Sequence, residues 1–449
     1  MLKDTKSTHK LYLNLYFSLT MKLIIQLLLT TILLYSFRSF SQDTVPVTCY
    51  ENEITQINSI NPNDTNFSDL YFLRTILANN KIVILGESGH GDGASFEAKT
   101  RVIKFLVENM GYRTIAFEGG GFLEMNFAES RIKRGKDVKT EFEKSWYALW
   151  SKSKQTQSLF DFFASKNDLN YWGIENQLGN IYSWNYIPII DSLIGPDAFK
   201  GVNFDTVKAD IGTLMRYPYD SNLRKTVSLS KIKTELQIIR NNVENLHLPQ
   251  SDFVKQAILN IEGTIDANEL FYGSHEEYNK SIGIRDSLMA SNVFWYLKKN
   301  PDEKVIIWTA NLHASHNLDE AVYKDDDDFY QTFIPLGQRL KSKYGSEVFS
   351  IAMISTEGQS AIWHLPTPYP IEIPESSWDY QLSKVIDYDY AFINFRNIAN
   401  NEQCSQLKFE STILGYHKHT GNWFNIFDGV FYIRKMYRSD KAIEAAQRQ

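Results

Sequence analysis

Short β-branched runs alternate with longer stretches in which apolar residues recur every three or four positions, and this alternation predicts the fold. Residues 82–85 read as a buried strand. Residues 96–110 then place Val102, Phe105, Leu106 and Met110 on one helical face, and Gly111 stops the helix. Residues 114–117 are the next strand, and strand, helix and strand in that order predict a parallel pair with a right-handed crossover. Helical segments follow at about 122–134, 139–150 and 155–165, and "LNYWGIE" supplies a third strand ending at Glu175. From about Thr206 to Lys299 the pattern holds no convincing strand, only 3.6-residue periodicity such as Ile232, Leu236, Ile239 and Val243. That region, about 206–300, reads as a helical insertion. A fourth strand at 305–308 leads into "TANLHASHN", and later strands are expected at 348–354, 361–364, 391–395 and 429–433. Residues 42–68 are polar and rich in turn formers, an exposed lead-in to a helix near 70–79. No internal repeat and no Pro-, Gly- or Ser-rich linker divides the chain. The expectation is one α/β domain over 42–449: a central, mostly parallel sheet flanked by helices, with the helical insertion capping the C-terminal edge of the strands.

Composition changes the picture mainly at the N-terminus. Residues 23–37 are apolar, preceded by Lys22 and followed by Ser39-Phe40-Ser41, a small-x-small cleavage pattern before Gln42. Residues 21–41 therefore read as a signal peptide starting at Met21, with residues 1–20 upstream of the true start. The apolar run is short for a membrane span and no later segment supplies one. The protein is accordingly expected to be exported, periplasmic or secreted, with no stable membrane insertion after cleavage. A net charge of −6 with interspersed signs leaves no electrostatic footprint for nucleic acid. The acidic run Lys324-Asp325-Asp326-Asp327-Asp328 reads as a solvated loop. The two cysteines, Cys49 and Cys404, stand near opposite ends of the mature chain, either as a disulfide in an oxidising compartment or as two free thiols.

The candidate chemistry collects at strand ends. Glu87 and His90 follow the first strand of the strand–helix–strand unit, Glu118 the second, Glu175 the third, and His313 the fourth. Ligands of open α/β sheets bind outside the carboxyl ends of the strands, so carboxylates and imidazoles gathered at that edge point to an active site. The turn "GHGDGA" at 89–94 also fits a dinucleotide fingerprint. An exported protein meets little nicotinamide dinucleotide, and helices replace the second mononucleotide half. "GESGH" misses the last glycine of a serine-hydrolase elbow, which leaves Ser88 a weak nucleophile candidate. Glu87-x-x-His90 with His313-x-x-His316 offers donors of zinc type, yet without the helical HExxH arrangement. Of the other histidines, His247, His275 and His364 stand alone, and His417 and His419 fall in a polar loop.

The stretch "ILGESGHGDGASFEAKTRVIKFLVENMGYRTIAFE" resembles the leading motif of the erythromycin esterase family: G-E-x-x-H-G, then a basic residue nine positions after the histidine, then a strand ending in glutamate. Glu87, His90, Lys99 and Glu118 match in turn. "YWGIENQ", "RDSLMASNVFWYL" and "VIIWTANLHAS" resemble later family segments, so the resemblance spans most of the mature chain. It implies metal-independent hydrolysis of a small-molecule ester or lactone, with no cofactor and no covalent nucleophile. His90 would be the general base toward water. Glu87 or Glu118 would accept a hydrogen bond from its other ring N–H, Lys99 would stabilise an oxyanion or pair with the carboxylates, and His313 would be the acid for the leaving alkoxide. Glu175, Asn311 and His316 are expected to bind substrate or support the site. Two positions depart from the family pattern: Ala310 stands where the first histidine of H-N-x-H belongs, and Lys99 replaces the usual arginine. Ala310 bears on whether macrolides are hydrolysed. Other readings of the same scaffold are a metal-dependent hydrolase and a non-enzymatic binder of haem or another large apolar ligand. His90→Ala and Glu87→Ala are each expected to abolish hydrolysis and leave the fold intact.

Overall fold

The computed structural model describes residues 44–176, 181–216, 226–323, 327–362 and 367–440. The expected leader over 21–41, the side chains of the acidic run at 324–328, and His364 lie outside the described residues. Within them, nine strands form one sheet. In chain order the strands are β1 (Ile54–Ile57), β2 (Ile82–Leu85), β3 (Thr114–Gly121), β4 (Asn170–Glu175), β5 (Val305–Trp308), β6 (Val322–Tyr323), β7 (Val348–Ser360), β8 (Tyr369–Pro370), β9 (Tyr390–Ile393), β10 (Phe409–Ser411), β11 (His419–Gly421) and β12 (Gly429–Met436). The sheet order is β1-β9-β12-β7-β2-β5-β3-β4, with β8 paired to β7, while β10, β11 and β6 make a small second sheet.

From β12 to β4 every pairing is parallel. β9 runs antiparallel to both β12 and β1. Leu85 at the end of β2 sits beside Trp308 of β5 and Ile351 of β7, and Phe117 of β3 sits on the other side of Trp308. The residues that follow these positions, Glu87, Glu118 and Thr309, therefore emerge at one edge.

Both faces of β2 are covered, which is why it reads as an unbroken apolar run. Ile82 and Ile84 pack into one core layer with the helices of the 204–299 stretch. Val83 and Leu85 pack into the other layer with Ala98, Val102 and Phe105 of α1 (Gly93–Met110). Gly111 closes α1 at φ 74°, a left-handed cap that glycine adopts without a Cβ clash.

The 204–299 stretch holds a helix over Phe204–Arg216, then α2 (Leu229–Leu246), α3 (Ser251–Leu270) and α4 (His275–Lys299), with no strand among the described residues. Ser274 and Glu277 form a reciprocal capping box at the start of α4. The same helix brings Arg285 to the carboxyl ends of β3 and β4.

Three sequence expectations change. The lead-in contains an edge strand, β1. β7 runs on to Ser360, and Ala361 and Ile362 belong to no strand. β9 stops at Ile393 because Phe395 already begins a helix over Phe395–Ala399.

Cys49 and Cys404 are bonded, with Cα atoms 5.8 Å apart and 355 residues between them in sequence. The bridge fastens the segment before β1 to the loop after the Phe395–Ala399 helix. Cross-linking so long a loop restricts the unfolded chain, so reduction or Cys404→Ser is expected to cost about 2–5 kcal/mol. Urea unfolding with and without reductant reads the difference, and coincident curves would refute a stabilising bridge.

Candidate active site

Gly86 lets the chain leave β2 close to the β5 side. A Cβ there would meet the Asn311 Oδ1 at 2.2 Å, so any other residue must displace the Asn311 side chain or the strand end. The next side chain, Glu87, is fully buried, and both of its oxygens accept from named donors. Its Oε1 accepts from His90 Nδ1 (2.9 Å) and Trp150 Nε1 (3.0 Å), and its Oε2 accepts from Lys99 Nζ (2.6 Å). His90 packs edge-on against Trp150, with ring centroids 5.1 Å apart. With Nδ1 committed to Glu87, the ring is 37% exposed and its Nε2 lies 3.9 Å from Glu118 Oε1.

Glu118 is turned into the site by an irregularity. β3 loses register with β4 between Phe117 and Gly121, and Gly119 adopts φ +71°, a conformation costly for any residue with a Cβ. Glu118 Oε2 accepts from Thr309 Oγ1 (2.7 Å) and the Ala310 amide (2.8 Å), and its Oε1 accepts from Arg285 Nη2 (2.7 Å). Glu175 is engaged by the same guanidinium through Nε (3.1 Å) and Nη2 (2.5 Å). Arg285 thus clamps the ends of β3 and β4 together.

His313, on the short helix after β5, repeats the His90 arrangement. Its Nδ1 meets the Asp286 carboxylate at 2.9 Å, and its Nε2 lies 3.4 Å from the same Glu118 Oε1. Asp286 also accepts the Leu336 amide at 2.7 Å. Each imidazole is therefore anchored on its own acid, and both Nε2 atoms converge on one oxygen. Arg285 Nη1 lies 2.7 Å from His313 Nε2, a contact the neutral ring accepts; the protonated ring must instead direct its Nε2–H to Glu118.

Charge explains the titration of these groups. The carboxylates Glu87, Glu118, Glu175 and Asp286 face Lys99 and Arg285, fewer basic groups than acids, which leaves an excess of negative charge for the imidazoles to neutralise. Burial pushes His90 down, but its bond to Glu87 and the charges of Glu118 and Glu87 carry it above its ordinary value. Burial likewise disfavours the His313 imidazolium, and Asp286 and Glu118 outweigh it, raising His313 to about 10. Glu118 is pushed up by burial yet held well below the usual carboxylate range by His313 and Arg285. Burial lowers Lys99, with Glu87 opposing.

The two imidazoles line a cleft of about 780 Å³ together with Ala310, Tyr330, Tyr369, Tyr416 and His417. Of the residues expected at the site, Glu87, His90, Glu118, Glu175, Lys99 and His313 are brought together. For Lys99 the structure takes the second of its two expected roles, pairing with a carboxylate, and Asn311 and His316 need correction. Lys99 is fully buried against Glu87, the Thr309 carbonyl (2.8 Å) and the Trp308 ring, away from the cleft, so it neutralises a carboxylate and faces no oxyanion. The Asn311 amide donates to the Met353 and Ile413 carbonyls (2.9 and 2.8 Å) and its oxygen accepts the Met353 amide, which leaves nothing for substrate. His316 is buried beside Ser350 and close to Asp428; burial lowers it to about 4, and it does not line the cleft. Arg285, Asp286 and Trp150 were missed. The first two were visible only as the opening of the R-D-x-x-M-A-x-N segment, with no indication of what they touch.

A resident metal does not fit this arrangement. Among the described residues no three His, Cys, Asp or Glu side chains converge in metal-binding geometry, and His316 stands apart from the Glu87–His90 pair. The carboxylates that would hold a cation already share the Arg285 guanidinium.

The family model for erythromycin esterase matches residues 107–436, which include Glu118, Glu175, Arg285 and His313. The chain belongs to the erythromycin esterase family. It is 24% identical over 430 residues to erythromycin esterase type II of Escherichia coli, covering 86% of this chain and 96% of that protein. It is also 24% identical over 396 residues to the putative hydrolase YbfO of Bacillus subtilis, covering 81% and 86% of the two. Two solved structures share the fold. One, described as a succinoglycan biosynthesis protein, matches with TM-score 0.70 at 19% identity, over 88% of this chain and 97% of that one. The other, an erythromycin esterase mutant in its open conformation, matches with TM-score 0.62 at 17% identity, over 84% and 96%. The mostly parallel sheet with its many helices is thus the architecture of erythromycin-esterase-like proteins. Family membership supports a hydrolase acting on a small molecule. No helix among the described residues is long and apolar enough to cross a membrane.

Proposed function

We propose that the protein hydrolyses an ester or lactone at the His90 cleft, with His90 activating water and no covalent intermediate. The observation that carries this reading is the His90 ring itself: Nδ1 held by the buried Glu87 carboxylate, the remainder turned to the cleft. The Glu87 bond fixes the tautomer with a free Nε2 lone pair and stabilises the imidazolium that forms. Water gives a proton to His90 Nε2 as its oxygen adds to the substrate carbonyl carbon. When the tetrahedral intermediate collapses, protonated His313 gives its Nε2 proton to the departing alkoxide. Ser88 has no comparable activation. Its one hydroxyl proton lies between two carbonyl acceptors, Met353 (2.9 Å) and Ile413 (3.1 Å), and among the described residues no base takes it.

The charge balance gives this scheme a pH signature. Only neutral His90 accepts a proton, and its environment raises it above its ordinary 6.5. Turnover is expected to rise with pH through an inflection above that value, and Glu87→Gln should move the inflection to lower pH. A pH–rate profile with no inflection between about 6 and 9 would contradict His90 as base. The substrate is sought with a panel of esters and lactones that includes a fourteen-membered macrolide, run with wild type and His90→Ala. Ala310 lines the cleft at the position where the H-N-x-H pattern that this segment resembles has its first histidine, so the macrolide arm tests whether that imidazole is needed.

The leader at 21–41 supports export, periplasmic or secreted, for the mature enzyme. Expression of the full chain followed by N-terminal mass analysis is expected to find a new terminus near Gln42. Recovery of an intact leader would oppose it.

A further inference from the structure

One fully buried carboxylate close to His90 has no part in the scheme above. Asp92 occupies the N-cap position of α1, where an aspartate ordinarily accepts from the helix's own first amides, yet it makes no such bond. Its carboxylate is turned back instead. Asp92 Oδ2 accepts from the Gly89 amide (2.8 Å) and the Tyr416 hydroxyl (2.7 Å), and Oδ1 accepts from the Ser360 hydroxyl. Burial pushes Asp92 up to about 6, and these donors oppose it.

The three donors come from separate segments, two of which line the cleft while the third, Ser360, directly precedes the cleft residue Ala361. Gly89 precedes His90, Ser360 ends β7, and Tyr416 lies on the 414–417 segment that lines the cleft. Tyr416 holds a left-handed backbone at φ +64°, a strained conformation for a residue with a Cβ, directly after Gly415 at φ +66°. The far side of the turn is fixed by main-chain bonds, Gly93 N–H to the Tyr437 carbonyl (2.8 Å) and Ser439 N–H to the Gly91 carbonyl (2.7 Å). On the His90 side the Gly89 amide is held by Asp92. A Cβ at Gly91 would meet the Ala361 carbonyl oxygen at 2.1 Å, so the turn has no slack toward β7.

We propose that Asp92 is a positioning residue for His90, and that Tyr416 ties it to the cleft wall so that the imidazole keeps its angle to Glu87 and to bound substrate. The proposal rests on His90 being the base. Tyr416→Phe removes one hydroxyl from the latch and Ser360→Ala another, while Ser360→Thr keeps it.

The test combines a measurement without substrate and one with it. The His90 ring resonance, assigned by its loss in His90→Ala, is titrated by NMR in each folded variant. The latch predicts a midpoint shift of about half a unit or more toward the unperturbed value in Tyr416→Phe and Ser360→Ala. Ser360→Thr should titrate like wild type. With an ester that wild type cleaves, kcat should fall about tenfold in the two latch variants while KM stays within about twofold. An unchanged His90 titration in both variants overturns the proposal, as does a rise in KM alone, which would make Tyr416 a substrate contact. If wild type cleaves no ester at all, a shifted titration still supports the latch, and it is the reaction assigned above that fails.

Discussion

Replacing His90 by alanine is expected to lower turnover of a true substrate by about 10²- to 10⁴-fold, and to leave the fold standing. The ring is 37% exposed, and it rests at the end of a turn pinned at Gly91 and Gly93 by main-chain bonds, so its loss opens no cavity in either core layer. Glu87 is a different case. Among the described residues its carboxylate is the only acid within bonding distance of the buried Lys99 ammonium. Glu87→Ala would strand that charge beside the Trp308 ring, a change that typically costs about 3–5 kcal/mol. Glu87→Ala therefore destabilises the fold as well as removing the partner of His90, and Glu87→Gln is the informative variant because it keeps shape and an acceptor for His90 Nδ1. Its pH–rate inflection should move to lower pH, while melting curves separate any lost stability from lost chemistry. If His90→Ala turns over within about twofold of wild type, water activation by this residue is wrong.

The β2–α1–β3 unit was legible because both of its signals are strong: a strand buried on both faces and a helix with a clean apolar stripe. The placing of Glu87, Glu118 and Glu175 at one edge followed from topology alone. β1 was not legible, since "ITQI" is short, sits in polar surroundings and pairs with β9, more than three hundred residues away. The extension of β7 through "STEGQS" was missed for a related reason, because its last residues carry no apolar alternation. The roles of Lys99 and Arg285 needed three dimensions. A lysine within "FEAKTRVIKF" carries no local sign that sets it apart from Arg101 or Lys104, and only packing shows that it neutralises Glu87 inside the protein. Arg285 lies 110 positions from Glu175 and 167 from Glu118, so no local pattern ties it to them.

Loss of Arg285 should also change stability strongly, and in a way that depends on pH. Arg285→Met keeps the length of the helix side chain but leaves Glu118 and Glu175 without the guanidinium they share. Near pH 8 the expected destabilisation is about 3–5 kcal/mol, the range for breaking a buried ion pair by removing one partner. The sign of the pH dependence follows from Glu118. Burial favours its neutral form, but His313 and Arg285 hold its pKa well below the usual range. In wild type this contributes stability above the unfolded carboxyl value that is lost as pH falls. His313 runs the other way. Raised to about 10, it contributes stability that is fully present below 6.5 and lost as pH rises through its folded value. Without Arg285 the Glu118 carboxyl takes up a proton at higher pH, so the gap between variant and wild type should be widest in mild alkali and close on acidification. Urea midpoints at about pH 8 and about pH 5 read the trend. Arg285→Lys should restore little, because an ammonium is a point charge and does not reproduce the fork that meets Glu118 and Glu175 at once. A gap that stays the same at both pH values, or full recovery by lysine, would show that the clamp is ordinary surface electrostatics and that β3 and β4 hold the site together by themselves.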